Sequence, residues 1–283
     1  MKQIVVISGK GGTGKTMLTG AFAALAEHKI MVDCDVDAAN LHLLLHPSIQ
    51  ERHIFKSGAF AKIDPALCTH CGECKAACRF QAISPEFAVS PIDCEGCGLC
   101  ARLCPVNAIR MKESTAGEWF ISETRYGPFV HAKLGIAEEN SGKLVAKVRE
   151  TAKQLAEKNG ATQVIIDGPP GIGCPVIASL SGVDLAVIVT EPSLSGAHDA
   201  GRVMDLARHF DIPVRLVINK WDIHPQGAEE IERFCASRNV PVIGKIPFSR
   251  DVMESVIAGK PITEYSNGAL KNEIIHIWEA VKA

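Results

Sequence analysis

Gly9-Lys10-Gly11-Gly12-Thr13-Gly14-Lys15-Thr16 is the stretch that most restricts how this chain can fold. The apolar run Ile4-Val5-Val6-Ile7 before it reads as a buried strand, and residues 17–26 after it, rich in Ala and Leu, read as a helix. Strand, glycine-rich loop and helix is the context in which G-x-x-x-x-G-K-[ST] becomes a phosphate site. Glycines let backbone N–H groups approach phosphate oxygens with no Cβ in the way. The helix N-terminus adds unpaired donors and a partial positive charge. In that setting Lys15 neutralises the β- and γ-phosphates, and the Thr16 hydroxyl ligates Mg²⁺.

Lys10 is a second lysine, early in the loop, that an ordinary P-loop does not require. With it the stretch resembles the deviant Walker A, K-G-G-x-G-K-[ST], of the MinD/ParA and nitrogenase iron-protein ATPases. The resemblance implies that residues 9–16 hold ATP in an ATP-dependent homodimer, with Lys10 reaching the phosphates of the other subunit. The alternative for Lys10 is a solvated loop lysine.

Further along, Lys29-Ile30-Met31-Val32-Asp33 reads as a second strand leading into Cys34-Asp35-Val36-Asp37. Carboxylates at a strand's C-terminal edge beside a phosphate loop can orient water and support Mg²⁺. The segment resembles the family's switch I, which gives Asp35 the attacking water and places Asp33 nearer the metal. Asp37 has a helix cap as its alternative role. The run Val164-Ile165-Ile166-Asp167 has Walker B character, with Asp167 on Mg²⁺ directly or through water. Gly168-Pro169-Pro170-Gly171 after it resembles switch II. Asn219-Lys220-Trp221-Asp222 has the N-K-x-D form of guanine-binding GTPases. In the MinD/ParA group the asparagine here contacts adenine, which implies that Asn219 and the Pro247 loop form the base side of an ATP site.

Eight of the eleven cysteines lie between positions 68 and 104. Cys68, Cys71, Cys74 and Cys78 have the spacing C-x2-C-x2-C-x3-C, and Cys94, Cys97, Cys100 and Cys104 repeat it at an offset of 26 residues. Gly72 matches Gly98, and Ala82-Ile83 matches Ala108-Ile109, so two similar halves are expected. The pattern resembles the bacterial two-cluster ferredoxins, in which the fourth Cys of each run ligates the other cluster. That resemblance implies one 4Fe–4S cluster on Cys68, Cys71, Cys74 and Cys104, and a second on Cys94, Cys97, Cys100 and Cys78. Arg79 stands where the pattern has proline; no ligand is lost, but the backbone and the potential near Cys78 are open to change. Paired Cys₄ zinc sites usually separate their C-x2-C pairs more widely.

Residues 113–141 are the least assignable. Trp119-Phe120-Ile121-Ser122 and Pro128-Phe129-Val130-His131-Ala132 suggest strands, while Tyr126, His131 and Glu138-Glu139-Asn140 read as loop and core with a partner face as the alternative. Residues 142–158 have helical spacing. Leu270, Ile274, Ile277, Trp278 and Val281 share one helical face, and with few basic residues beside it this face is expected to pack on the sheet and not on lipid. Cys174 is expected as a small core thiol or as a thiol at a dimer interface.

A composition that is 47% hydrophobic supports a substantial core, and a formal charge of −2 gives no electrostatic case for nucleic acid. No membrane-crossing run and no leader are seen, so a cytoplasmic protein with unoxidised cysteines is expected. Strands that alternate with helices and end in ligand residues predict an α/β fold, a doubly wound and mostly parallel sheet. The expected domains are a P-loop ATPase domain over 1–61 and 113–283 and an inserted ferredoxin-like domain over 62–112. The leading expectation is an ATPase whose nucleotide state controls electron delivery to a redox or metallocofactor partner protein. A cluster or metallocofactor assembly or carrier factor, and a MinD/ParA-like spatial organiser with structural or sensing clusters, are the alternatives.

Overall fold

In the computed structural model, which describes residues 1–135 and 141–283, the first apolar run forms β1 (Lys2–Ser8) and passes through the glycine loop into α1 (Lys15–Leu25). Then follow β2 (Lys29–Asp33), α2 (His42–Leu45), β3 (Ser48–Ile63), α3 (Glu73–Ala77), α4 (Leu99–Leu103), β4 (Ile109–Thr124) and β5 (Gly127–Leu134). The chain continues with α5 (Ser141–Asn159), β6 (Gln163–Pro170), α6 (Cys174–Leu180), β7 (Leu185–Thr190), α7 (Leu194–His209) and β8 (Val214–Asn219). It ends with α8 (Pro225–Ser237), β9 (Val242–Ile246), α9 (Arg250–Ile257), α10 (Ile262–Tyr265) and α11 (Ala269–Lys282).

The strands hydrogen-bond in the order β3-β4-β5-β2-β6-β1-β7-β8-β9. β1 lies parallel between β6 and β7; β2 is parallel to β5 and β6, and β8 to β7 and β9. The α/β fold with a mostly parallel sheet is therefore as the sequence implies. Parallel strands are covered on both faces and read as unbroken apolar runs, as β7 does with all six residues buried. The expectation for Glu138, Glu139 and Asn140 lies outside the described residues.

The chain divides into two compact units: one of Met1–His53, Trp119–Lys133 and Ser141–Ala283, the other chiefly Ile54–Glu118. The core of the first gathers Ile4, Phe22, Met31, Ile165, Val187 and Trp278, all at most 2% exposed. Helix α11 completes it, burying the five residues of its predicted face, and the Trp278 ring lies 4.8 Å from that of Phe22. Emptying such a site by Trp→Ala costs about 3–5 kcal/mol. Among the described residues no helix is long and apolar enough to cross a membrane.

The second unit has its own core of Ala61, Cys74, Ile83 and Ile109. Its backbone is duplicated as its cysteines are. Left-handed residues at His70, Gly72 and Gln81 recur at Gly96, Gly98 and Asn107, each 26 positions on. Gly72 and Gly98 each precede a short helix, and Ala76 N–H to Gly72 O has its counterpart in Arg102 N–H to Gly98 O. Gly96 cannot be replaced freely: a Cβ there would lie 2.1 Å from Ala59 O on β3.

Candidate functional site

The C-terminal ends of β1, β2 and β6 bring the predicted phosphate, metal and water residues together. Gly14 has φ +98°, and a Cβ there would stand 2.3 Å from Asn219 Nδ2, so the turn into α1 requires glycine. Lys15 is buried, with Nζ 4.0 Å from the Asp35 carboxylate. Thr16 Oγ1 donates to Asp167 Oδ2 at 2.7 Å, and Thr19 Oγ1 to Asp167 Oδ1 at 3.0 Å. Asp33 lies across from Asp167 in the β2–β6 ladder and accepts from the backbone N–H groups of Asp35 (3.0 Å) and Leu41 (3.2 Å).

Three carboxylates so close in a dry place repel one another's charge. Burial, then the Asp167 charge, hold the Asp33 carboxyl well above the usual range despite its two N–H donors. Asp167 is pushed up to about 6 by burial, opposed by Lys15 and by the Thr16 and Thr19 hydroxyls. Asp35 is raised by burial and held back by Lys15. A cation among these oxygens would relieve that repulsion. The hydroxyl and carboxylate oxygens of Thr16 and Asp167 are a hard donor set suited to Mg²⁺.

A cavity of about 580 Å³ opens here, lined by Gly12, Lys15, Thr16, Asp35, Asp37 and Pro170 among others. Thr13 Oγ1 is buried in the loop with no hydrogen-bond partner among the described residues. Such an orphaned donor fits a loop built to meet phosphate oxygens. Gly171 N–H donates to Ser8 O at 2.9 Å, which ties the Gly-Pro-Pro-Gly segment to the end of β1.

The remaining predicted residues sit beside this centre. Lys10 Nζ is ion-paired with Glu191 and donates to Ser193 Oγ (3.1 Å) and Ser195 Oγ (3.2 Å) of its own chain. Asn219 Nδ2 donates to Thr13 O at 2.8 Å, and Lys220 Nζ to Gly12 O at 3.3 Å, so the N-K pair buttresses the phosphate loop. Pro247 follows directly on β9, and Asp222 Oδ1 accepts from Phe248 N–H at 2.6 Å. Cys174 begins α6 and is exposed, which corrects its reading as a core thiol. Sequence reasoning missed Glu191. The signal was available, since it is an acid one residue past β7, at the sheet edge where Asp167 stands on β6.

None of the eight clustered cysteines is in a disulfide, and together they line two cavities. One is lined by Cys68, Cys71, Cys74 and Cys104. The other, about 350 Å³, is lined by Cys78, Cys94, Cys97 and Cys100. The fourth cysteine of each run is thus exchanged between the sets. Main-chain donors reach sulfurs in both, among them Ala108 N–H to Cys104 Sγ at 3.2 Å and Ala61 N–H to Cys94 Sγ at 3.4 Å. Among the described residues no three His, Cys, Asp or Glu side chains converge on a single-ion site.

The family profile for the CobQ/CobB/MinD/ParA nucleotide binding domain matches residues 4–262. The uncharacterized protein MJ0578 of Methanocaldococcus jannaschii is 33% identical over 99% of this chain and 96% of its own. The septum site-determining protein MinD of Synechocystis is 26% identical over 92% of this chain and 80% of its own. Among solved structures, the cell division ATPase MinD of Pyrococcus furiosus aligns with a TM-score of 0.59 at 19% identity, covering 99% of this chain and 98% of that one, a likeness of fold. MinD of Pyrococcus horikoshii, solved with Mg-ADP, aligns with a TM-score of 0.59 at 18% identity, covering 99% and 95%. The family profile spans β1 to α10, phosphate loop and carboxylates included, and the chain belongs to the CobQ/CobB/MinD/ParA nucleotide-binding family as a P-loop ATPase of the MinD/ParA kind.

Proposed function

We propose that the nucleotide state of the first unit governs one-electron transfer through two 4Fe–4S clusters held by the second, in service of a redox or metallocofactor partner protein. The observation that carries this reading is the sorting of eight thiols into two cavities of four, with Cys78 and Cys104 exchanged. Four thiolates are the ligand set of such a cluster, which when bound supplies a one-electron acceptor. The duplicated backbone supports a ferredoxin-like unit, which the chain enters after the Asp35 segment and leaves before Asp167.

In the nucleotide groove, Lys15 and the loop N–H groups hold the β- and γ-phosphates of ATP. Thr16 and Asp167, already hydrogen-bonded to each other, hold Mg²⁺, with Asp33 behind them. Asp35 orients the attacking water, Asn219 and Pro247 flank the base, and Lys10 acts across an ATP-dependent homodimer.

Anaerobic protein is expected to contain about eight iron atoms per chain. Its reduced form is expected to give an EPR signal that changes with MgATP, alongside measurable ATP hydrolysis. Iron without any nucleotide-dependent change would reject the coupling; zinc in place of iron would reject the clusters.

The MinD relatives favour a second reading, a spatial organiser in which the cysteine unit is structural or sensing. Against a lipid-binding tail stands α11, whose apolar face is buried in the core. ATP-dependent co-sedimentation with anionic vesicles or with DNA would favour the organiser; the electron-transfer reading expects neither.

A further inference from the structure

The two cysteine cavities are repeats in backbone but not in charge. We infer that this difference makes the position framed by Cys78, Cys94, Cys97 and Cys100 the easier of the two to reduce. The inference rests on the two-cluster reading and adds to it a direction for the electron.

The charged residues lining the Cys78 cavity are Arg79, Arg102 and Glu95, a net single positive charge. The charged residue lining the Cys104 cavity is Glu73. Duplication pairs each of these positions with one in the other half, although the Cys104 cavity is far smaller, about 10 Å³ against about 350 Å³. At the offset of 26, Arg79 corresponds to Pro105, Arg102 to Ala76, Glu95 to Thr69 and Glu73 to Leu99. Each charge therefore has a neutral counterpart in the other half. An added electron is stabilised by nearby cations and opposed by a nearby carboxylate.

Hydrogen bonds to sulfur and solvent exposure also set the potential, and the charge difference is the one that substitution can isolate. Main-chain N–H groups act on sulfur in both sets, at Cys94 and Cys100 in one and at Cys104 and Cys74 in the other. Each has one exposed cysteine, Cys97 and Cys71. Cys74 is buried whereas its counterpart Cys100 is half-buried, and a drier surrounding disfavours added negative charge. Arg79 stacks over the Phe80 ring with Cζ 5.2 Å from the centroid, which holds its charge at the cavity. Both arginines are exposed, so the effect must weaken as salt rises.

The test is a potentiometric titration of the intact protein, followed by EPR, with a low-potential chemical reductant adding one electron per cluster. Two resolved steps are expected, differing about tenfold in equilibrium constant, which is about 59 mV for one electron. Arg79→Gln with Arg102→Gln should lower the upper step alone, and Arg79→Lys should restore its part. Glu73→Gln should raise the lower step alone, and 1 M salt should narrow the gap. Iron and sulfide analysis separates the two levels of the argument. Protein without about eight iron atoms rejects the two-cluster reading and this inference with it. Full iron with one unresolved step, or with a gap that neither the arginine changes nor salt alters, overturns the inference alone.

Discussion

Lys10 and Glu191 form an ion pair within one chain, and Glu191 also holds Lys220 at 3.4 Å. Although burial opposes it, the two lysines keep the Glu191 carboxyl below the usual range. A Lys10 held at home is not free to act across a dimer. A partly exposed pair of this kind is worth up to about 1 kcal/mol, or about fivefold in an equilibrium. With two such pairs broken per homodimer, Glu191→Gln is expected to raise ATP-dependent dimerisation by up to about 30-fold, and Lys10→Ala to lower hydrolysis while sparing nucleotide binding by the single chain. Analytical ultracentrifugation with a phosphate-release assay checks both. Normal hydrolysis by Lys10→Ala would end the case for a role in trans.

The groove separates binding from chemistry. Lys15 is buried and faces Asp35; on the proposed function it carries the phosphate charge, and Lys15→Ala should abolish ATP binding measured by calorimetry. Asp35→Ala removes the carboxylate but leaves the main-chain bond of the turn, Ala38 N–H to Asp35 O at 3.1 Å, in place. It should bind ATP with near-native affinity and hydrolyse it about 100-fold more slowly, the scale of losing a general base. Gly14→Ala should fail at binding, because the new methyl meets Asn219.

His131 supplies a pH dependence of stability. Its ring stacks on Phe129 at 4.5 Å and on Phe120 at 5.0 Å, and its Nε2 lies 3.0 Å from Ser122 Oγ. Burial, then the nearby His42, lower it to about 4 from 6.5. The unfolded chain therefore binds a proton between pH 6.5 and 4 that the folded chain refuses, and stability falls as pH drops through that window. Between pH 7 and 5 the loss from this group is about 2 kcal/mol. Urea unfolding of the wild type against His131→Phe reads it, and an equal pH dependence in both would reject the assignment.

Where a residue's burial and its chemistry coincide, the sequence is legible. β1, β6 and β7 are buried and show as apolar runs, and Asp167, which closes the apolar run of β6, shows as an acid beside the glycine loop. β3 was not legible. Its first five residues are exposed, and where burial does alternate, over residues 53–59, the residue types do not follow it: Ile54 is 63% exposed while Ser57 is half-buried. Asn219 shows the limit of motif reading. The motif puts it beside a base, while its amide donates to Thr13 O in the phosphate loop, a contact that only the tertiary fold reveals. The two cysteine runs announced a repeat, yet the unequal charges around its halves matter only once the lining residues are known.

Cys78 gives the sharpest test of the second unit. In sequence it belongs with Cys68, Cys71 and Cys74, but in space it lines the cavity of Cys94, Cys97 and Cys100. The exchange follows from α3, which places Cys74 within its five residues and leaves Cys78 as the extended residue after its end. Cys78→Ser is expected to halve the iron, from about eight to about four atoms per chain. The half that survives should match that of Cys97→Ser in EPR spectrum and potential, and should complement that of Cys71→Ser. Combining Cys78→Ser with Cys97→Ser should cost no further iron, whereas combining it with Cys71→Ser should remove nearly all of it. If Cys78→Ser instead leaves the same cluster as Cys71→Ser, each run of four holds its own cluster and the exchanged arrangement is wrong.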